Sequence, residues 1–200
     1  MKKFIAILFI IGFVSFSIPA QGFYLDAGLG LGKAWSKIEG VEVIDHLKPY
    51  DGNIFDFAID FDSKAGYGPF GKIPLYAVGE FGIAWHETND GFFSISHYVF
   101  FIGTGVIFYP ISLIQLGFSL GLPLFGYRID TPGYTDQENR GGFVSNISAA
   151  VDFGKRKAGC LVGIKYFLAV DTLNLSNIDE RISMVSIFGK FTFRKKVPKL

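Results

Sequence analysis

The chain has 200 residues and a formal net charge of +1, with 50% hydrophobic and only 18% charged residues. Soluble domains usually carry about 25% charged residues, so this composition argues against an ordinary soluble domain. The near-zero net charge gives no electrostatic basis for binding nucleic acid. The 23 Phe and 25 Gly residues suit strands with aromatic side chains on one face and small residues on the other. Cys160 is the only cysteine, so no disulfide forms within the chain.

The first residues have the layout of a secretory signal peptide. Lys2 and Lys3 form a positive start, residues 4–18 form an uncharged and mostly apolar run, and Pro19 ends it. We therefore expect residues 1–22 to be a signal peptide that is cleaved after position 20 or after position 22. The alternative is an N-terminal membrane anchor, which requires about 20 apolar residues, and this run is shorter.

Behind this leader, apolar residues alternate with polar or small ones, which is the period of a β-strand with two different faces. The alternation predicts eight strands, near residues 23–35, 53–63, 72–86, 93–109, 113–127, 142–153, 158–171 and 182–194. The predicted fold class is all-β, an eight-stranded antiparallel up-and-down transmembrane β-barrel over residues 23–194, with a basic C-terminal tail at 195–200. The strand at 93–109 is apolar on both faces, so its lipid-facing side is not assigned.

The stretch from Tyr98 to Tyr127 allows another interpretation, because its uncharged residues would also suit one or two membrane-spanning helices. Pro110 and Pro123 lie inside it, and from Gln115 onward every second residue is apolar. Side chains on one face of an α-helix recur about every 3.6 residues, so a period of two indicates a strand. We therefore predict two strands joined by a tight turn at 109–112, with a helical hairpin in the inner membrane as the alternative.

An even number of strands places both chain ends on the periplasmic side. The connections between strands then alternate between the outer side and the periplasmic side. The turns expected on the periplasmic side are 64–71, 110–112 and 154–157. The loops expected outside are 36–52, 87–92, 128–141 and 172–181. Loops 36–52 and 128–141 are the candidates for contact with a host surface, another membrane protein or another surface ligand, and the alternative, favoured for either loop alone, is that they only solvate the barrel.

Aromatic residues fall at the predicted strand ends, where membrane barrels carry aromatic girdles. Those expected at outer strand ends are Trp35, Trp85 and Tyr127, and those expected at inner ends are Tyr109, Phe153 and Phe193.

An exported chain of this size with eight alternating strands resembles the small outer-membrane barrels typified by the OmpA transmembrane domain and OmpW. This resemblance covers the whole chain behind the leader and is one of pattern. It implies a place in the bacterial outer membrane, with outer-membrane lipid and the barrel-assembly machinery as partners. That class often ends in an aromatic residue that the machinery reads, whereas here Phe193 is followed by Arg194 to Leu200.

Alternation also sends polar side chains inward, where an eight-stranded barrel has just enough room for them. The predicted lumen-lining residues are Asp26, Asp56, Asp60, Glu80, Gln115, Asp152, Lys165 and Lys190. Buried charges must be paired, because an isolated ion in a low dielectric costs several kcal/mol. We therefore expect either a salt-bridge network that plugs the lumen or a constriction that passes small solutes.

Motifs for catalysis and cofactors are weak in this sequence. Residues 28–34 resemble a phosphate-binding loop, but Ala27 and Ala34 stand where that loop requires Gly and Ser or Thr. Residues 86–97 bring Ser, His and Glu close in sequence without the motif of a barrel hydrolase or acyltransferase. The three histidines have no zinc spacing. We therefore expect no metal, no cofactor and no enzymatic activity.

The function predicted from the sequence is that of a non-enzymatic outer-membrane barrel with a structural or surface-interaction role. A narrow channel for small or apolar solutes is the first alternative. A lipid-modifying barrel enzyme is the second.

Overall fold

The computed structural model describes residues 20–38, 41–47, 54–70, 73–89, 93–131, 134–154, 158–171 and 181–194. Most of the predicted signal peptide and the basic tail at 195–200 lie outside these residues, so both remain predictions.

Along the described part of the chain, strands follow one another with one short helix among them. They are β1 (Ala20–Ile38), β2 (Val41–Glu42), α1 (Val43–Leu47), β3 (Phe55–Phe70), β4 (Leu75–Asn89), β5 (Ser94–Ile111), β6 (Ile114–Thr131), β7 (Tyr134–Asp152), β8 (Ala158–Asp171) and β9 (Arg181–Arg194). Each of the eight long strands pairs antiparallel with the next, and β9 pairs back with β1 from Lys37↔Arg181 to Tyr24↔Arg194. The sheet is therefore a closed barrel, and the predicted eight-stranded antiparallel fold is confirmed.

The stretch that could have formed two helices is a strand hairpin, because β5 and β6 pair along their length, for example at Phe100↔Leu124. Within the described residues, no helix is both long enough and apolar enough to cross a membrane. The helical alternative for residues 98–127 is therefore wrong.

Burial alternates along the long strands, so each has one face toward the lumen and one toward the surroundings. On β9, Met184 and Lys190 are buried, whereas Ile187 and Phe191 are 68% and 81% exposed. On β5 the odd positions face inward, which assigns the side that the sequence left open. We call the end of the barrel near Tyr24 and Arg194 the periplasmic end and the opposite end the outer end.

The exterior of the barrel is an apolar band of the kind that lipid requires. Within the described residues of the long strands, charged side chains on the outward face lie toward the outer end, at Lys33, Lys37, Glu87, Arg128 and Arg181. The other outward-facing side chains that the structure describes on these strands are uncharged. This distribution matches a barrel whose waist contacts hydrocarbon and whose outer rim contacts polar headgroups or water.

Several predicted connections are shorter than expected. β3 continues to Phe70, so most of the predicted turn at 64–71 is strand. β6 and β7 pair as far as Thr131↔Tyr134, so most of the predicted loop 128–141 is strand as well. The predicted loop 36–52 contains the end of β1, then β2 and α1. The predicted turn 109–112 shifts to residues 112–113. Extended pairing continues past the apolar alternation because it satisfies backbone donors and acceptors regardless of the side chains.

The aromatic girdle is partly as predicted. The outward-facing members are Trp35, Trp85, Phe153 and Phe193, which are 47%, 40%, 60% and 48% exposed. Tyr109 and Tyr127, however, are 0% and 4% exposed and face the lumen. Placing them in the girdle was wrong, because on β5 and β6 the odd positions point inward and both tyrosines are at odd positions.

Gly32 shows how closely the strands approach around the lumen. A Cβ at Gly32 would lie 2.0 Å from the carbonyl oxygen of Val185, whereas a Cβ at outward-facing Gly189 would meet no atom within 4 Å. We expect Gly32→Ala to lower the free energy of unfolding by about 1–3 kcal/mol. We expect Gly189→Ala, the matched control, to leave it unchanged or raise it by about 0.4–1 kcal/mol. Urea titration of the folded fraction of each variant tests this, and equal losses would contradict the assigned faces.

Candidate functional site

Charged side chains from five strands fill the middle of the lumen. We call this set the central ion network; its members are Asp26, Asp60, Asp62, Lys64, Glu80, Lys165 and Lys190, each at most 3% exposed. Asp62 is its centre. Its carboxylate lies 3.4 Å from Lys64 Nζ and 2.9 Å from Lys165 Nζ, and it also accepts a hydrogen bond from Lys190 Nζ.

Each lysine of the central ion network also reaches a second carboxylate. Lys190 Nζ lies 3.3 Å from Asp26 Oδ1, Lys64 Nζ lies 3.2 Å from Glu80 Oε1, and Lys165 Nζ donates to Asp60. Glu80 also accepts hydrogen bonds from two uncharged side chains, from Asn146 Nδ2 at 2.7 Å and from the hydroxyl of Ser119. Because every charge has an opposite partner, mutual attraction offsets the large cost of removing these ions from water.

A second set of side chains closes the periplasmic end; we call it the periplasmic layer, and it consists of Tyr24, Tyr76, Tyr109, Gln115, Asp152 and Arg194. Gln115 Nε2 donates to the hydroxyls of Tyr24 at 2.9 Å and Tyr109 at 2.8 Å. Tyr24 in turn donates to Asp26 Oδ2 at 2.5 Å, which joins this layer to the central ion network. The ring of Tyr76 packs between those of Tyr24 and Tyr109, with centroids 5.2 Å and 5.9 Å away.

Arg194, the last residue of β9, anchors the periplasmic layer. Its Nε and Nη2 donate to Asp152 Oδ2 at 2.9 Å and 2.7 Å, and its guanidinium lies 4.6 Å from the centroid of the Tyr109 ring. A lysine would retain the charge but lose the second donor and the planar stacking group. We therefore expect both Arg194→Lys and Arg194→Ala to destabilise the barrel, with alanine losing about 3–5 kcal/mol and lysine less.

Urea titration of the two Arg194 variants tests this expectation. Lys37→Ala is the matched control, because Lys37 is a part-exposed strand cation that pairs with Glu42 at 3.6 Å. An exposed pair of this kind is worth about 0–1 kcal/mol. Equal effects at positions 37 and 194 would show that the periplasmic layer does not hold the barrel closed.

Apolar side chains cover the central ion network on its outer side. We call them the apolar layer; its members are Ala34, Ala58, Ala84, Val99, Phe101, Phe125, Val144, Phe167, Ala169, Ile182 and Met184. The rings of Phe101 and Phe167 meet across the lumen with centroids 5.3 Å apart. Since all members are at most 6% exposed, this layer keeps water away from the ions beneath it.

The outer end of the lumen holds a polar cluster above the apolar layer. Ser36 Oγ lies 2.7 Å from His86 Nδ1, and His86 Nε2 lies 2.5 Å from Asp56 Oδ1. Thr88 Oγ1 donates to the same Asp56 oxygen at 3.2 Å. Val43 of α1 packs nearby against residues at the outer strand ends, Ile95 and Tyr127 among them. The part of the chain that the structure describes contains no group of three or more His, Cys, Asp or Glu residues that could hold a metal ion.

Neither a family model nor a curated protein matches the chain. Solved structures do match its fold. Ail, the attachment invasion locus protein of Yersinia pestis, aligns with a TM-score of 0.57 and 10% identity over 86% of this chain and 99% of that chain. Neisserial surface protein A aligns with a TM-score of 0.52 and 12% identity over 84% of this chain and 95% of that chain.

The chain has the fold of the small eight-stranded outer-membrane β-barrels. The resemblance stated from the sequence is confirmed at the level of fold. The fold, together with the apolar exterior of the barrel, indicates a bacterial outer-membrane location.

The structure distributes the eight lumen residues predicted from the sequence over three parts of this outer-membrane barrel. Those in the central ion network are Asp26, Asp60, Glu80, Lys165 and Lys190. Gln115 and Asp152 belong to the periplasmic layer, with both side chains buried. Asp56 belongs to the outer cluster, where its side chain is 22% exposed.

Sequence reasoning missed four residues that matter in this outer-membrane barrel. Asp62 and His86 share strand parity with the inward-facing Asp60 and Ala84, so alternation carried to the strand ends would have found them. Lys64 lies in a segment that the sequence predicts to be a turn, although it is 2% exposed and its ammonium group pairs with both Asp62 and Glu80. Arg194 is followed directly by the basic tail, and nothing in the neighbouring sequence distinguishes it from the lysines of that tail.

Proposed function

We propose that the chain is a plugged, non-conducting barrel with a structural role, and that its contacts with other molecules are made at the outer surface. The observation that carries this proposal is the contact of Asp62 with Lys64, Lys165 and Lys190. A carboxylate that holds three ammonium groups directly leaves little space at this level for a solute. The role proposed for the central ion network is structural.

The order of the layers supports closure further. An ion entering from outside would pass the polar cluster at the outer end and then meet the apolar layer, and apolar constrictions close pores by excluding water. It would then have to separate the buried ion pairs of the central ion network. Removing one partner of a buried ion pair costs several kcal/mol. A narrow channel for small or apolar solutes, the alternative function, would need both barriers to open.

A surface role is supported by what lies at the outer end. The predicted contact segments 36–52 and 128–141 include α1 and the extended β6–β7 hairpin, and exposed cations such as Lys33 and Arg181 lie on the exterior toward the same end. Ail, a structural neighbour, was crystallised with the heparin analogue sucrose octasulfate. An anionic surface ligand suits this end of the barrel. Outer-membrane lipid is the partner proposed for the apolar exterior, and the barrel-assembly machinery is the partner proposed for insertion.

Single-channel recording in planar lipid bilayers tests the plugged barrel. The full-length wild type and the variants Glu80→Ala and Lys190→Ala are each inserted after folding is checked by heat-modifiable gel migration. We expect no discrete conductance steps from the wild type, and none from the variants, because the apolar layer is intact in all three. Steps from the wild type whose size changes in Glu80→Ala or Lys190→Ala would overturn the proposal and establish a channel.

A further inference from the structure

The outer cluster of the lumen contains a hydroxyl, an imidazole and a carboxylate in one hydrogen-bonded chain. Ser36 Oγ approaches one ring nitrogen of His86 at 2.7 Å, and Asp56 Oδ1 approaches the other at 2.5 Å. A serine is activated when a base takes its proton and a third group orients that base. Such triads are recognised by geometry and roles, on unrelated folds and in any chain order. Here the three residues come from β1, β3 and β4.

A second observation concerns the ring of His97, which is the cross-strand partner of His86 and is 0% exposed. Neither of its ring nitrogens has a hydrogen-bond partner among the described residues. A buried polar group left unpaired costs about 1–3 kcal/mol, so its retention calls for an explanation. Strand N–H groups are used by the ladder, so a donor to a developing oxyanion in this lumen has to be a side chain. His97 supplies one beside His86.

We propose that Ser36, His86 and Asp56 form an acyl-transfer site for carboxylic esters at the outer end of the lumen. This goes beyond the plugged, structural barrel and departs from the expectation of a non-enzymatic chain. Ser36 Oγ bonds to the ester carbonyl carbon while its proton passes to His86 Nδ1. The alcohol leaves with that proton as its bond to the carbonyl carbon breaks, and the acyl group stays on Ser36. Water then bonds to the acyl carbon as His86 takes its proton, the bond to Ser36 Oγ breaks, and Oγ takes that proton from His86 while the carboxylic acid leaves.

The surroundings indicate the kind of ester. Ala58 lies opposite His86 and Ile182 lies opposite Ser36 in the ladders, and both belong to the apolar layer. These walls suit a small aliphatic acyl group. Ser36 is 1% exposed, so entry requires outer-end side chains to move aside, and the Asp56 side chain, 22% exposed, marks the side nearest to solvent.

The test uses the full chain folded in detergent micelles and diisopropyl fluorophosphate, a small reagent that phosphorylates activated serines with loss of fluoride. We expect a single adduct by intact mass, mapped to Ser36 by peptide analysis. His86→Gln should slow its formation by at least about 100-fold, because the general base is lost, and Ser36→Ala should remove it. Ser96→Ala is the matched control, an outward-facing serine of β5 opposite Glu87, and should label like the wild type.

Asp56 is a positioning residue in this proposal, and rescue distinguishes that role from a purely structural one. Asp56→Asn should slow labelling of Ser36 by about 10-fold or more, and Asp56→Glu should restore part of the rate, with heat-modifiable migration unchanged in both. Absence of an adduct in the folded wild type overturns the proposal, as does an unchanged rate in folded His86→Gln. Neither result bears on the proposed function, which is read from conductance.

Discussion

Replacing Asp62 with alanine is expected to lower the free energy of unfolding by about 3–5 kcal/mol, the cost of leaving buried charges without their partner. Asp62 contacts Lys64, Lys165 and Lys190 at once, and all three are at most 3% exposed. Removing it leaves three ammonium groups with one carboxylate each. Asp62→Asn should lose less, because the amide oxygen still accepts a hydrogen bond.

The measurement for Asp62 is urea titration in lipid vesicles, with the folded fraction read from gel migration without boiling. Glu42→Ala is the matched control, since its 3.6 Å pair with Lys37 is part-exposed. Such a pair contributes about 0–1 kcal/mol. A loss at position 62 no larger than that at position 42 would mean that the central ion network does not hold the strands together.

Replacing Phe167 with alanine is expected to cost about 3–5 kcal/mol, because it removes a large buried ring and leaves a cavity in a packed layer. Phe167 is 1% exposed and packs against Phe101 across the lumen. Strands fixed by hydrogen bonds around a closed barrel cannot collapse into the space. The apolar layer would also lose part of its seal above the central ion network.

Phe191→Ala provides the control for Phe167, because Phe191 is the same residue type but is 81% exposed on the outward face of β9. Lipid chains can fill the space left there, so we expect a clearly smaller loss in the same vesicle titration. Larger destabilisation by Phe191→Ala would indicate that the outward face, rather than the lumen, carries the packing that stabilises the barrel.

The alternation of apolar and polar residues was enough to predict the eight strands and the inward direction of Asp26, Asp60 and Lys165, because the period of two survives in the sequence. The partners were not predictable in the same way. Which side chains meet across the lumen depends on strand tilt and register, and Asp62 and Lys165 are 103 residues apart.

Strand ends were the weakest part of the sequence-based prediction. Glycines and polar residues near Lys64 and Thr131 are typical of turns, yet strand pairing continues past Lys64 and reaches Thr131. The predicted strand ends at residue 63, so Lys64 was not among the predicted lumen residues. Tyr127 and Gln115 are both at odd positions of β6, so both face the lumen, and Tyr127 does not belong to the girdle. The triad-like cluster has no signature among neighbours in sequence, because Ser36, Asp56 and His86 meet only after three strands pair.

Gel migration of the wild type with and without boiling in detergent shows whether this chain forms a closed β-barrel. We expect the unboiled protein to migrate differently from the boiled one and to give a circular dichroism spectrum dominated by β-structure. Identical migration of the two samples, together with a mainly helical spectrum, would show that the chain does not form a β-barrel.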